Sequence, residues 1–189
     1  MKRFTPLLLA LACAVTAPAW AQKVKLSTTL GDVTLELDRE KAPKTVDNFL
    51  QYVRAGHYNG TIFHRVIDGF MIQGGGYKAD NKGEISEKTT RAPIPLESRN
   101  GLSNLRGTVA MARTGIPDSA TAQFFINVND NTMLDQAQSR DGHGYAVFGK
   151  VVEGMDVVDK IKATAVKPRG MHQHMPETPV ILNKATVEK

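Results

Sequence analysis

The run Thr61-Ile62-Phe63-His64-Arg65-Val66-Ile67, the pair Asp68-Gly69, and then Phe70-Met71-Ile72-Gln73-Gly74-Gly75-Gly76 make up the densest apolar stretch of the chain. Two short hydrophobic runs around a glycine-containing turn predict two paired β-strands. Arg65 and Gln73 are then polar side chains set into otherwise apolar strands. Period-two alternation sends His64 and Arg65 to opposite faces, which argues against a joint His–Arg site and makes His64 a hydrogen-bonded packing residue. Three glycines after a strand predict a sharp bend or a close backbone approach. A phosphate cradle is set aside, because no Gly-Lys-Ser/Thr follows them.

Upstream, residues 23–30 and 33–37 flank Gly31-Asp32, and Val33, Leu35 and Leu37 alternate with Thr34 and Glu36, which predicts a hairpin with one buried face. From Pro43 the period lengthens: Val46, Phe49, Leu50 and Val53 recur at three- and four-residue steps, predicting a helix over about 43–55 that stops at Gly56. Downstream, residues 76–106 lack periodicity and read as a long irregular connection. Strand-like runs resume at 108–112, 123–128 and 145–152, with a loop at 129–144, a short helix at about 154–161 and a closing strand at 180–187. Many short antiparallel strands with two helices argue for a closed barrel or sandwich over a parallel α/β sheet. No linker or repeat divides the chain, so residues 22–189 are read as one domain.

The 189 residues are 41% hydrophobic and 23% charged, enough for one domain with a proper core and too apolar for long disorder. A single cysteine excludes internal disulfides, zinc fingers and dithiol redox motifs. Lys2 and Arg3, an apolar run from Leu7 to Val15, and Ala19-Trp20-Ala21 form a secretory leader over residues 1–21. Leu11 occupies a place where a lipoprotein leader has a small residue, which argues against lipid attachment at Cys13. No segment has the roughly 20 apolar residues a membrane helix needs. Cleavage after Ala21 lowers the net charge from +5 to +3 and removes the cysteine, leaving a thiol-free chain suited to an oxidising compartment. The remaining cations are interspersed with acids and no basic run occurs, so nucleic acid is not an expected partner.

Standard nucleophile and zinc signatures are missing. Met171-His172-Gln173-His174-Met175 carries donor types that suit a soft ion such as copper, but reads first as an exposed loop between Gly170 and Pro176. What is left is Arg65, Gln73 and Gln123 among aromatic strands. Such groups suit a reaction that needs positioning and hydrogen bonding without proton transfer.

The segment from Phe63 to Gly75 resembles the signature of the cyclophilins, the cyclosporin-type peptidyl-prolyl isomerases. Gly107-Thr108-Val109-Ala110-Met111-Ala112-Arg113, Ala122-Gln123-Phe124-Phe125-Ile126 and Val147-Phe148-Gly149-Lys150-Val151 are similar to further family segments in the same order, so the likeness spans about residues 23–187. The wording of residues 120–127 is similar to the bacterial branch, which together with the leader implies an exported, periplasmic form. The resemblance implies an eight-stranded antiparallel closed barrel capped by two helices. It also implies a monomeric isomerase without cofactor or metal, which acts on proline-containing exported polypeptides and assists their folding.

By the same resemblance Arg65 is the catalytic donor, and Phe70, Met71, Phe125 and Leu134 form the apolar socket for the proline ring. Gln73 positions Arg65 or the substrate carbonyl, Ala112 and Gln123 border the groove for preceding residues, and Arg113 acts mainly through its backbone. Met133 stands where many eukaryotic members have Trp, and Tyr145 where they have His; both are rim positions, and weak cyclosporin binding is expected. Turn length tests the placement. A two-residue loop at Asp68-Gly69 pairs Arg65 with Ile72, whereas a three-residue loop at 68–70 pairs Arg65 with Gln73 and sets Arg65, Met71 and Gln73 on one face.

Overall fold

Alternation of Val33, Leu35 and Leu37 with more polar neighbours produces β2 (Gly31–Leu37), antiparallel to β1 (Gln22–Thr28), whose Val24 and Leu26 are also buried. The computed structural model describes residues 22–80 and 83–188, so the leader expected at 1–21 lies outside the described residues. The turn falls earlier than the Gly31-Asp32 reading: Thr28 pairs with Gly31, and Thr29-Leu30 form the loop. Its cause is local. The Thr28 hydroxyl donates to Gly31 O at 2.7 Å and accepts from Leu30 N at 3.1 Å, closing the bend before the glycine. Gly31 opens β2 with φ +132°, where a Cβ would lie 2.7 Å from a Val157 methyl; the glycine admits a helix.

The expected strand over 61–67 is bent into β3 (Thr61–Ile62) and β4 (Arg65–Ile67). Across the break the pairing partner changes: Phe63 N donates to Val180 O at 3.0 Å and His64 N to Gln73 O at 3.1 Å. β3 therefore pairs with β13 (Ile181–Val187), and β4 pairs with β5 (Met71–Gly74). From β5 the pairings run through β9 (Phe124–Asn127), β8 (Thr108–Met111), β10 (Val147–Glu153), β2 and β1 back to β13. With β3 and β4 taken as one bent stave, the sheet closes as the expected eight-stranded antiparallel barrel.

Two helices pack on it. In α1 (Pro43–Arg54) the buried side chains Val46, Phe49, Leu50 and Val53 are those of the sequence period, and Pro43 occupies the first turn. The helix start is held by a residue 52 positions away in the chain: Glu97 accepts from Thr45 N at 2.8 Å and from Thr45 Oγ1 at 2.7 Å, placing a carboxylate at the positive end of the helix. α2 (Met155–Lys162) buries Val157, Val158 and Ile161. Inside the barrel, Phe49 meets Phe124 edge-on at 5.6 Å and lies 5.1 Å from both Tyr58 and Phe148, forming the centre of the main core.

Two segments read as irregular hold short strands. Within 76–106, β6 (Tyr77–Ala79) pairs with β7 (Ile85–Glu87), and Ile94 bridges to Ala120. Three-residue, half-exposed strands are too short for a period to show. The expected loop at 171–175 is part of β12 (His172–Pro176), paired with β11 (Val166–Arg169) through the turn Gly170-Met171. Met175 and Pro176 are buried, so the ribbon is docked onto the protein.

Candidate active site

The register of β4 on β5 pairs Arg65 with Gln73, Val66 with Ile72 and Ile67 with Met71. This is the three-residue loop, Asp68–Phe70, closed by Phe70 N on Ile67 O at 3.1 Å, with Gly69 at φ +74°. Alternation then turns Val66 and Ile72 into the barrel core and Arg65, Met71 and Gln73 to its outer face. The register continues across the sheet: Gln73 pairs with Phe125, Phe125 with Ala110, and Ala110 with Val147. Five strands thus place Arg65, Gln73, Phe125, Ala110 and Val147 in one transverse row. Met71, Ala110, Phe125 and Val147 form a second apolar cluster, with Phe70, Ala112, Leu134 and Tyr145 packed around it.

Phe124 and Phe125 show how the strand divides its labour. Phe124 is in the barrel core, and Phe125 lies on the outer face with its ring 5.7 Å from Tyr145, edge to face. At the polar end of the row, Arg65 Nη1 donates to Gln73 Oε1 at 3.3 Å and Gln73 Nε2 donates to Gln123 Oε1 at 2.9 Å. The Arg65 guanidinium stands 5.9 Å from the centre of the Phe70 ring. The glycines behind this row are close approaches, as expected. A Cβ on Gly75 would lie 2.9 Å from Tyr58 and 3.0 Å from Phe124, and one on Gly76 2.6 Å from the Gln123 side chain.

Ala112 N donates to Gln123 O at 2.9 Å, so these two residues form one edge of the depression. Leu134 is half-buried, and Met133, 55% exposed, stands on the rim in a single 3-10 turn, Thr132–Leu134. The Arg113 side chain is only 1% exposed and has its own part. It stacks 4.6 Å over Tyr145, donates to Gly144 O at 2.9 Å and pairs with Asp141, whose carboxyl is held well below the usual range by that guanidinium and by backbone N–H donors. The expectation that Arg113 acts mainly through its backbone missed this clamp on the 135–144 loop.

A buried amide ladder was also missed. Asn131 Nδ2 donates to Phe70 O at 2.7 Å and to Asn127 Oδ1 at 2.8 Å, and Asn127 Nδ2 donates to Asn104 Oδ1 at 3.2 Å. It ties the Phe70 rim to the 129–135 segment. Asparagines in turn-rich sequence carry no signal of burial, so only their clustering hinted at it.

His64 is a buried packing residue as expected and corrects the sequence reading in one way. It is 3% exposed and hydrogen-bonded to the Ile62 backbone, its Nδ1 has no hydrogen-bond partner among the described residues, and the ring is held by Tyr77 at 4.6 Å and His172 at 5.4 Å. The correction is that His64 borders the same cavity as Arg65, because the break at Phe63-His64 interrupts strict alternation. Burial, with His172 and Arg65 nearby, lowers its pKa from 6.5 to about 4. The unfolded chain then takes up a proton between pH 6.5 and 4 that the folded chain resists, so stability falls as pH falls through this window. From pH 7 to pH 5 the expected loss through His64 is about 2 kcal/mol, read from urea unfolding. A His64→Gln variant should show a flatter pH dependence, and an equal slope in both proteins would refute the assignment.

The antiparallel barrel with a guanidinium beside an outward apolar depression is the arrangement that the resemblance to the cyclophilins implies. The family model for cyclophilin-type peptidyl-prolyl cis-trans isomerases matches residues 23–187. Peptidyl-prolyl cis-trans isomerase B of Escherichia coli (strain K12) is 54% identical over 167 residues, 88% of this chain and 99% of that protein. Peptidyl-prolyl cis-trans isomerase A of Dickeya dadantii (strain 3937) is 54% identical over 166 residues, 88% of this chain and 84% of that protein. A crystal structure of a Cryptosporidium parvum cyclophilin-type isomerase superposes with a TM-score of 0.73 at 26% identity, covering 90% of this chain and 99% of that one. The chain belongs to the cyclophilin-type peptidyl-prolyl cis-trans isomerase family. It is an isomerase of Xaa-Pro peptide bonds.

Proposed function

We propose that isomerisation is carried out by Arg65 acting on a proline seated against Phe70, Met71, Phe125 and Leu134. The observation that carries this is the transverse row, which sets a guanidinium at the edge of an apolar depression. Rotation about the peptide C–N bond has a barrier of about 18–20 kcal/mol because it breaks conjugation. In the twisted state the nitrogen lone pair localises and accepts a hydrogen bond that the planar amide cannot, so a donor there stabilises the transition state selectively. Arg65 stays charged and presents its donors in a plane. Gln73 holds that plane from one side, with Gln123 behind it. Ala112, Gln123 and the Arg113 backbone receive the residues before proline, and no metal or cofactor takes part. Exchange spectroscopy on a Xaa-Pro peptide, comparing wild type with Arg65→Ala, tests the assignment; normal turnover in a folded variant refutes it.

The substrates we assign are proline-containing exported polypeptides, met in the periplasm by a monomer. Support comes from the leader pattern at 1–21. Protein recovered from the periplasm should therefore have the intact mass of a chain beginning at Gln22, and retention of residues 1–21 would contradict export by cleavage.

Cyclosporin should inhibit weakly. Met133 has no side-chain donor and a flexible stem, unlike the Trp of sensitive relatives. The lost hydrogen bond and ring area amount to about 1–3 kcal/mol, roughly 5- to 150-fold in affinity. Met133→Trp should bind the drug more tightly by that factor with little change in turnover; equal inhibition constants would shift the determinant to Tyr145 or the 135–144 loop.

A further inference from the structure

The ribbon β11–β12 stands beside the catalytic row and walls off a cavity of about 500 Å³ next to Arg65. His64, Arg65, Gln73, Tyr77 and Gln123 line it from the barrel, and Met171, His172, Gln173 and His174 line it from the ribbon. Alternation along β12 places His172 and His174 on one face. The rings of His172, Tyr77 and His64 are mutually within 5.4 Å, which fixes the ribbon against the barrel. Among the described residues no three His, Cys, Asp or Glu groups are placed to hold a metal ion.

The chemistry of the lining points elsewhere. It contains a guanidinium, three imidazoles, three amides, a phenol and a thioether, and no carboxylate. Outside the lining, the ribbon carries Lys167 opposite Met175 and Arg169 opposite His172 in the register, and Arg169 Nη1 donates to Gly83 O at 3.0 Å. Among nearby acids, Glu87 sits opposite Tyr77 on β7, and Glu177 follows the end of β12. A donor-rich cavity with a guanidinium and no carboxylate in its lining favours an anionic guest. Because the cavity is continuous with Arg65, that guest is part of the chain whose proline sits in the socket.

We infer that this cavity is a specificity subsite for an acidic side chain, Asp or Glu, of the substrate polypeptide close to its proline. His172 and His174 are its specificity-determining residues, and Met171, 90% exposed at the ribbon turn, is its outer lip. The inference rests on Arg65 being the catalytic centre.

The test uses peptide pairs that differ only by Glu or Gln at one of the two positions on either side of proline. Turnover of the Gln peptides by itself reports the isomerase reading, so failure of that reading is seen separately. Wild type should prefer Glu at one position by roughly 3- to 10-fold in kcat/KM, and the preference should shrink as salt is raised. In a His172→Gln/His174→Gln variant, checked for an unchanged melting profile, the ratio should approach one. His174→Glu should invert it, and this single change at an exposed position guards against misfolding of the double variant. A ratio of one in wild type at every position, a preference for Gln, or a Glu preference that survives in the double variant would overturn the subsite.

Discussion

Replacing Arg65 with alanine lowers kcat/KM on a Xaa-Pro peptide by about 100- to 1000-fold, roughly 2.7–4 kcal/mol, the scale for removing one preorganised donor. The fold should survive. Arg65 is exposed, its partners are Gln73 and the Phe70 ring, and Gln73 keeps its bond to Gln123 when the guanidinium is gone. No buried group is orphaned. Because the interaction strengthens only as the amide twists, the loss should fall on kcat, with KM changed less. Circular dichroism and exchange spectroscopy on the same preparation decide it, and a folded variant within tenfold of wild type would move catalysis away from this residue.

Phe124→Ala should cost about 3–5 kcal/mol of stability, the range for removing a fully buried phenylalanine. Phe124 is 0% exposed and meets Phe49, Tyr58 and Phe63 edge-on at 5.6, 5.5 and 6.3 Å. Gly75 packs its backbone against the same ring and has no side chain to fill the space left behind. Phe125→Ala, one residue along, removes a ring from the smaller outer cluster. It should destabilise less and reduce peptide turnover more. Urea unfolding and the peptide assay on both variants test the contrast; a reversed order would mean that the two faces of β9 are misassigned.

That contrast marks how far the sequence could be read. Strand β2, helix α1 and the glycine approaches were legible because each depends on neighbours within a few residues: a period of two, a period of three to four, a missing Cβ. The split between Phe124 and Phe125 was legible in form, since alternation must send them to opposite faces. Which face was core depended on α1 and the far strands, which deliver Phe49, Tyr58 and Phe148 to one side only. The Asp68-Gly69 turn left two registers open, and the match of Arg65 to Gln73 was an expectation that the pairing of β4 with β5 met.

By itself, then, the sequence determined the main strands of the barrel, the two helices and the family signature, because local periodicity and turn chemistry are written in adjacent residues. Tertiary structure alone decided the bend at Phe63-His64, where Phe63 N bonds Val180 O, just before β13, and His64 N bonds Gln73 O of β5. It decided the capping of α1 by Glu97, the burial of Asn104, Asn127 and Asn131, and the turning inward of Arg113. It also converted an apparent loop at 171–175 into a strand beside Arg65. In each case a polar group was satisfied or a ring packed by residues distant in the chain. Long-range contacts of that kind leave no period in the sequence, because their partners are chosen only when the barrel closes.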